Sequence, residues 1–187
     1  GSTNPRGATK IWKENLTKFV SYNNLTANRC GIPTDEESST KIRLIVLSDA
    51  AEEAGGAAVY AGRRLESGLW SCKLVAAKSK MMKYTVPRNE LSAILLATEL
   101  AFLVKKALGE RVGEILYVTD STIALSWCHN TVRKLRAFIF ARVESIRRMI
   151  QWTTEKDEIP LYHVDGTRNL ADLLTKRHDI KIDQVSI

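Results

Sequence analysis

The chain has 187 residues, room for one domain with a buried core, and its 44% hydrophobic and 26% charged residues, with ten Gly and four Pro, exclude disorder and fibrous repeats. Lys and Arg outnumber Asp and Glu by 28 to 21, a formal charge of +7 that favours polyanionic partners, nucleic acid before anionic membrane surfaces. The richest apolar stretch, 91–108, is interrupted by Ser92, Thr98, Glu99, Lys105 and Lys106, so it cannot span a bilayer and no membrane partner is expected.

Residues 10–22 are expected to form a helix with Trp12, Leu16, Phe19 and Val20 on one face. A polar loop with Gly31 and Pro33 follows and ends in Asp35-Glu36-Glu37, which places a boundary there. The division is a connector over 1–40, headed by a Gly1-Ser2 expression scar, a main domain over 41–178 and a tail over 179–187. No signal-peptide pattern opens the chain. Residues 42–47 read as a strand running into Ser48-Asp49, 57–60 as a second after Gly55-Gly56, and 69–77 as a third, with Gly62, Ser67 and Gly68 in the turns. Pro87 opens a long helix that runs to about Leu108 and is stopped by Gly109; its apolar side includes Leu91, Ile94, Leu95, Ala101, Phe102 and Val104.

Residues 114–119 form a fourth strand ending at Asp120, and Ser121 caps the helix behind it. A further helix is expected over 131–152, with Leu135, Ile139, Val143, Ile146 and Ile150 inward and Arg133, Lys134, Arg136, Arg147 and Arg148 on the other half. Residues 159–164 make a fifth strand, and Asn169 caps a last helix through Leu170, Leu173 and Leu174. Three antiparallel strands followed by helix-linked ones predict an α/β fold: a five-stranded mixed sheet with helices on both faces.

Four acids stand out by position. Asp49 and Asp120 each end an apolar strand, while Glu90 and Asp172 sit in the first turns of two helices. Singly they read as turn-formers and helix-dipole partners, worth about 0.3–1 kcal/mol each at a helix start. Together, converging carboxylates repel and need a cation, and an all-oxygen ligand set suits Mg²⁺ or Mn²⁺. Two such ions roughly 4 Å apart can drive phosphodiester hydrolysis, which in a basic protein points to a nuclease or another phosphoryl-transfer enzyme. No zinc is expected, because His129, His163 and His178 fall at no ligand spacing with Cys30, Cys72 and Cys128. Those cysteines form no C-x-x-C pair and no disulfide framework, as expected of a reducing compartment.

Leu47-Ser48-Asp49-Ala50 with Gly55-Gly56-Ala57-Ala58-Val59-Tyr60 resembles the first two strands of the ribonuclease H family, and Thr85-Val86-Pro87-Arg88-Asn89-Glu90-Leu91 resembles its T-x-x-R-x-E-L motif. Val118-Thr119-Asp120-Ser121 is similar to its third acidic motif and Asn169-Leu170-Ala171-Asp172-Leu173-Leu174 to its last. The wording is most similar to the BEL/Pao branch of LTR retrotransposons, and Asn28-Arg29-Cys30-Gly31-Ile32-Pro33 resembles the connector before that domain in the polyprotein. The likeness covers most of residues 40–178.

The resemblance implies that Asp49, Glu90, Asp120 and Asp172 are catalytic ligands of two Mg²⁺ ions, with Mn²⁺ a substitute, and that the RNA strand of an RNA/DNA hybrid is cut. It further implies a reverse transcriptase polymerase domain as partner in the same polyprotein and a cytoplasmic, virus-like-particle location. Thr85 falls where the family places a threonine gripping a DNA phosphate, although a helix-opening hydroxyl is the equal alternative. Many relatives carry a histidine in the loop before the last acid; here that loop is Asp165-Gly166-Thr167-Arg168, and His163 lies earlier, in a strand.

Arg88, Arg133, Lys134, Arg136, Arg147 and Arg148 are the candidates for backbone contacts, joined by Lys73, Lys78, Lys80 and Lys83; such contacts give salt-dependent, sequence-independent affinity. A solvated solubility face is the other reading of the basic helix. Trp70 and Trp127 are expected in the core on account of their apolar neighbours, with stacking on sugars or bases the alternative. A catalytically silent binding module of the same fold is the alternative function, and an integrase-like nuclease with three acids is the runner-up enzyme.

Overall fold

Strand β1 (Ile42–Ala50) alternates buried Ile42, Leu44 and Val46 with half-buried Arg43 and Ile45, the period-two pattern that sends one set of side chains into a core. β2 (Ala54–Arg64) pairs antiparallel with β1, Val46 opposite Val59, and β3 (Trp70–Met81) pairs antiparallel with β2, Val59 opposite Ala76. The β2–β3 turn is closed by the Leu65 N–H on the Leu69 carbonyl at 2.8 Å, with Gly68 at φ 82°, where a side chain would be strained. β4 (Val112–Thr119) runs parallel to β1 on its other side, and β5 (Leu161–His163) parallel to β4. The order β3-β2-β1-β4-β5 makes the expected mixed five-stranded sheet. Its outer strands differ: β3 is long and carries Lys73, Lys78 and Lys80, whereas β5 has three residues.

This is a computed structural model that describes residues 41–131, 134–155 and 158–175. All of them lie in the second of the two compact units into which the chain divides, Gly31–Ile187. The helix expected over 10–22, the connector, Arg133 and the tail over 179–187 lie outside the described residues.

Helix α1 (Val86–Leu108) carries Pro87 in its first turn, where a missing N–H costs nothing, and ends at Gly109, whose φ of 59° lets its N–H reach the Lys105 carbonyl. Leu91, Ile94, Ala97, Ala101 and Val104 form its buried stripe against β1 and β2. Helix α2 (Thr122–His129) is capped by Ser121, which accepts the Ala124 N–H at 3.1 Å. Helix α3 (Ala137–Thr154) packs on α1 and supplies Ile139, Val143, Ile146 and Ile150 to the same core. A 3-10 helix, Leu170–Leu174, contacts β1 and β2 as well. Leu47 and its cross-strand neighbour Ala58 are buried outside the α-helical core cluster, as alternation requires of the sheet's second face. Among the described residues no helix is long and apolar enough to cross a membrane.

Four expectations change. Gly55 and Gly56 do not end a turn but lie inside β2, opposite Lys80 and Ser79. A Cβ on Gly55 would stand 2.4 Å from Met82 Cε, so close strand-to-loop packing, and not a turn, calls for glycine there. The basic helix begins at Ala137, with Arg136 in extended conformation as its N-cap, so Lys134 and Arg136 precede it. The Arg147 guanidinium donates to the carbonyls of Cys128 and Asn130, at 3.1 and 2.6 Å, and so ties the end of α2 to α3. The last helix is 3-10 over the described residues: its backbone bonds close three residues back, the Asp172 N–H on the Asn169 carbonyl at 3.0 Å and the Thr175 N–H on the Asp172 carbonyl at 3.2 Å. Finally, Trp70 is 42% exposed under the Arg43 guanidinium, 4.2 Å from its ring, while Trp127 packs on the core as expected.

Candidate metal centre

β1 and β4 lie side by side and parallel, with Ser48 in register with Thr119. The next residue of each is an aspartate, so Asp49 and Asp120 emerge at the same level from the carboxyl ends of neighbouring strands. That edge is where open α/β sheets bind ligands. Glu90 reaches it from α1, in the second turn and not the first, which removes the helix-dipole reading of this acid. Asp172 arrives on the first turn of the 3-10 helix that contacts β1.

The four acids feel one another. Burial pushes the Asp49 carboxyl above its ordinary range, and the negative charges of Asp120 and Asp172 add to the rise, against the Thr175 hydroxyl and the Ala50 N–H, which favour the anion. Burial likewise raises Glu90, helped by Asp120 and Asp49 and opposed by Ser121. Four segments far apart in sequence thus bring four carboxylates into one field.

Hydroxyls and carboxamides hold them. The Ser121 Oγ donates to Glu90 Oε2 at 2.5 Å while capping α2, which joins Glu90 to the residue after Asp120. Thr175 Oγ1 donates to Asp49 Oδ2. Buried Asn169 donates from Nδ2 to the Ser48 carbonyl at 2.9 Å, fixing the segment that carries Asp172 to the strand that carries Asp49. The loop before Asp172 passes over Asp120 at Gly166, where a Cβ would be 3.2 Å from Asp120 Oδ2. His163 Nε2 lies 3.2 Å from the Asp120 backbone carbonyl, to which it donates.

The donor set is all carboxylate, hard oxygen of the kind that Mg²⁺ and Mn²⁺ take and zinc sites with thiolate or imidazole do not resemble. Among the described residues no three His, Cys, Asp or Glu are grouped closely enough to cage an ion by themselves. Mg²⁺ does not require a cage, since it retains waters and is held by one or two carboxylates together with substrate phosphates. The mutual repulsion of the acids is what a cation would relieve.

A sign follows for stability without metal. A carboxyl raised on folding binds its proton more tightly in the native state, so its contribution is complete below the unfolded value and is lost as pH climbs through the folded value. Asp49 and Glu90 both act in this direction. In EDTA, Asp49→Asn should therefore melt above the parent protein at neutral pH, with the gap closing in acid. Melting curves across pH check this, and a gap that widens in acid would refute it.

The candidate nucleic-acid residues divide. Thr85 is the N-cap of α1, yet its side chain makes no capping bond and is exposed, so the helix-opening role is not what its hydroxyl performs. Arg88, in the first turn of α1, lies with its guanidinium 5.1 Å from the Phe138 ring centre. Arg142, which the sequence reading missed, stacks on the same ring at 3.5 Å and donates to Ser92 Oγ at 3.1 Å. Lys134, Arg136 and Arg148 are exposed. Arg147 instead faces inward, onto the Cys128 and Asn130 carbonyls and Glu144. Burial also pushes the Cys128 thiol up to about 12, so it stays protonated and unreactive at neutral pH.

The fold is shared with known RNases H. The N-terminal RNase H domain of Rv2228c from Mycobacterium tuberculosis superposes with a TM-score of 0.54 at 13% identity, covering 72% of this chain and 91% of that one. LC11-RNase H1, isolated from compost by a metagenomic approach, gives 0.50 at 16% identity, covering 72% and 92%. At these identities the likeness shows a common fold. No curated protein matches the chain in sequence. The family described as Pao retrotransposon-like RNaseH-like domain matches residues 3–121, well over half of the chain. With that match, the five-stranded mixed sheet and the acids at its edge, the chain belongs to the Pao retrotransposon-like RNaseH-like domain family.

Proposed function

We propose that the protein is a divalent-metal-dependent endoribonuclease that cuts the RNA strand of RNA/DNA hybrids during retrotransposon reverse transcription. The observation that carries this reading is the convergence of Asp49, Glu90, Asp120 and Asp172 into one field at the carboxyl ends of β1 and β4. A module that only bound nucleic acid would gain nothing from burying mutually repelling carboxylates. The four acids would hold Mg²⁺, or Mn²⁺, which when bound there supplies Lewis-acid activation of water and stabilisation of the leaving oxygen of a phosphodiester.

The chain's own residues do the rest. Ser121 holds one oxygen of Glu90 and so orients the other. Thr175 does the same for Asp49. Exposed Thr85 with Arg88 offers a hydroxyl and a guanidinium to a backbone phosphate beside Glu90, and Lys134, Arg136 and Arg148 extend the cationic surface. Hybrid selectivity would rest on 2′-hydroxyls and groove shape on one strand and phosphates on the other. In this reading the partner is the polymerase domain of the same polyprotein and the setting is the cytoplasmic virus-like particle of the element.

The test is cleavage of a labelled RNA/DNA hybrid beside RNA/RNA and DNA/DNA duplexes, with Mg²⁺, Mn²⁺ or EDTA. Cutting confined to the RNA of the hybrid and abolished by EDTA is expected. Salt-sensitive binding of the hybrid without cutting, with the polymerase domain either absent or supplied, would establish a silent binding module instead.

A further inference from the structure

We infer that Asn89 is a positioning residue that sets the spacing between Asp49 and Glu90; this rests on the reading of those two carboxylates as ligands of a common divalent-ion centre. Asn89 has no exposed surface. Its Nδ2 spends both hydrogens on the β1–β2 connection, one on the Ala51 carbonyl at 3.0 Å and one on the Glu52 carbonyl at 2.9 Å. Its Oδ1 accepts the Tyr84 N–H at 3.0 Å, just before α1. Its own N–H enters the first turn of α1 through the Thr85 carbonyl at 2.9 Å.

One carboxamide therefore joins two otherwise separate segments. Ala51 lies two residues beyond Asp49, and Glu90 follows Asn89 directly. The Ala51–Ala54 connection is closed on itself by the Ala51 N–H on the Ala54 carbonyl at 2.8 Å, so a pull on Ala51 and Glu52 moves the connection as a unit. No other side-chain type of this size offers two donors to one neighbour and an acceptor to the other. An aspartate would keep the Tyr84 bond and set a negative charge against two carbonyls. A leucine would take the partner from two carbonyls and one N–H and untie the two segments.

The test uses the full chain with Asn89→Leu, and Asn89→Asp as the milder variant should the first not fold. Mn²⁺ binding to the metal-free protein is followed by electron paramagnetic resonance, and cleavage of the hybrid is titrated with Mn²⁺. In folded variants we expect Mn²⁺ binding weakened about tenfold or more, the range in which residues that orient metal ligands act. The Mn²⁺ concentration for half-maximal cleavage should rise equally, and KM for the hybrid should stay within about twofold. A residue that only stabilised the fold would lower the folded fraction and leave half-saturating Mn²⁺ where it was. Unchanged Mn²⁺ binding in a folded variant overturns the positioning role. Wild-type protein that binds Mn²⁺ without cutting overturns the cleavage reading alone, and wild-type protein that binds no Mn²⁺ overturns both.

Discussion

Asp120→Asn should lower hybrid cleavage by at least about 10³-fold, roughly 4 kcal/mol of transition-state stabilisation, while the thermal midpoint stays level or rises. The substitution is isosteric, so the tight space beneath Gly166 still accommodates it. The contact from His163 goes to the backbone carbonyl and survives. What disappears is one negative charge from the field that raises both Asp49 and Glu90. Losing it removes a repulsion in the metal-free state and weakens the attraction for a divalent ion. Single-turnover cleavage at saturating Mg²⁺, run beside a melting curve, measures both halves; a variant cutting at near the parental rate would sink the assignment of this acid.

Leu44→Ala should do the reverse, costing about 2–5 kcal/mol of stability without touching the chemistry. Leu44 is fully buried in β1, between Ala61 of β2 and Ile115 of β4 and beneath the core supplied by α1 and α3. Its removal leaves a cavity walled by strands on two sides, which cannot collapse easily. The melting temperature should fall by roughly 4–20 °C, at about 2–4 °C per kcal/mol for a domain of this size. Denaturant unfolding should show a lower midpoint with the slope unchanged. At low temperature, cleavage per folded molecule should match the parent, and a specific loss of activity there would mean that the core and the acid centre are coupled more tightly than the contacts imply.

The strands and the two long helices were legible because their burial follows simple periods. Ile42, Leu44 and Val46 alternate, and Leu91, Ile94, Ala101 and Val104 recur at helical spacing. Asp49, Asp120 and Asp172 were legible as strand-end and helix-start residues, while Glu90 was placed one turn too early. Their convergence was implied by the resemblance and not by spacing, because it depends on β4 lying beside β1 although β2, β3 and α1 intervene in the chain. Gly55 misled for a related reason: a sequence marks glycine as a turn and says nothing of a methionine packed against it from Met82. The start of α3 was misplaced because residues 131–136 contain no Gly or Pro to mark a boundary, and Arg136 takes the extended N-cap conformation without a capping side chain. Asn89 had a signal that went unread. It shares a helical face with Ala93, Leu96 and Ala97, all buried, and a polar residue on an apolar stripe must find partners inside.

The two borders of the sheet carry a consequence for handling the protein. A border strand offers unpaired amides and carbonyls to any chain able to lie alongside it. Here the longer border displays ammonium groups at Lys78 and Lys80, exposed along its outer half, and the shorter one, Leu161–His163, spans too few residues to template a neighbour. Only Lys78 and Lys80 guard the longer border, where Trp70, Leu74 and Met81 also stand exposed, so strand addition at high concentration is expected along β3 and not along β5.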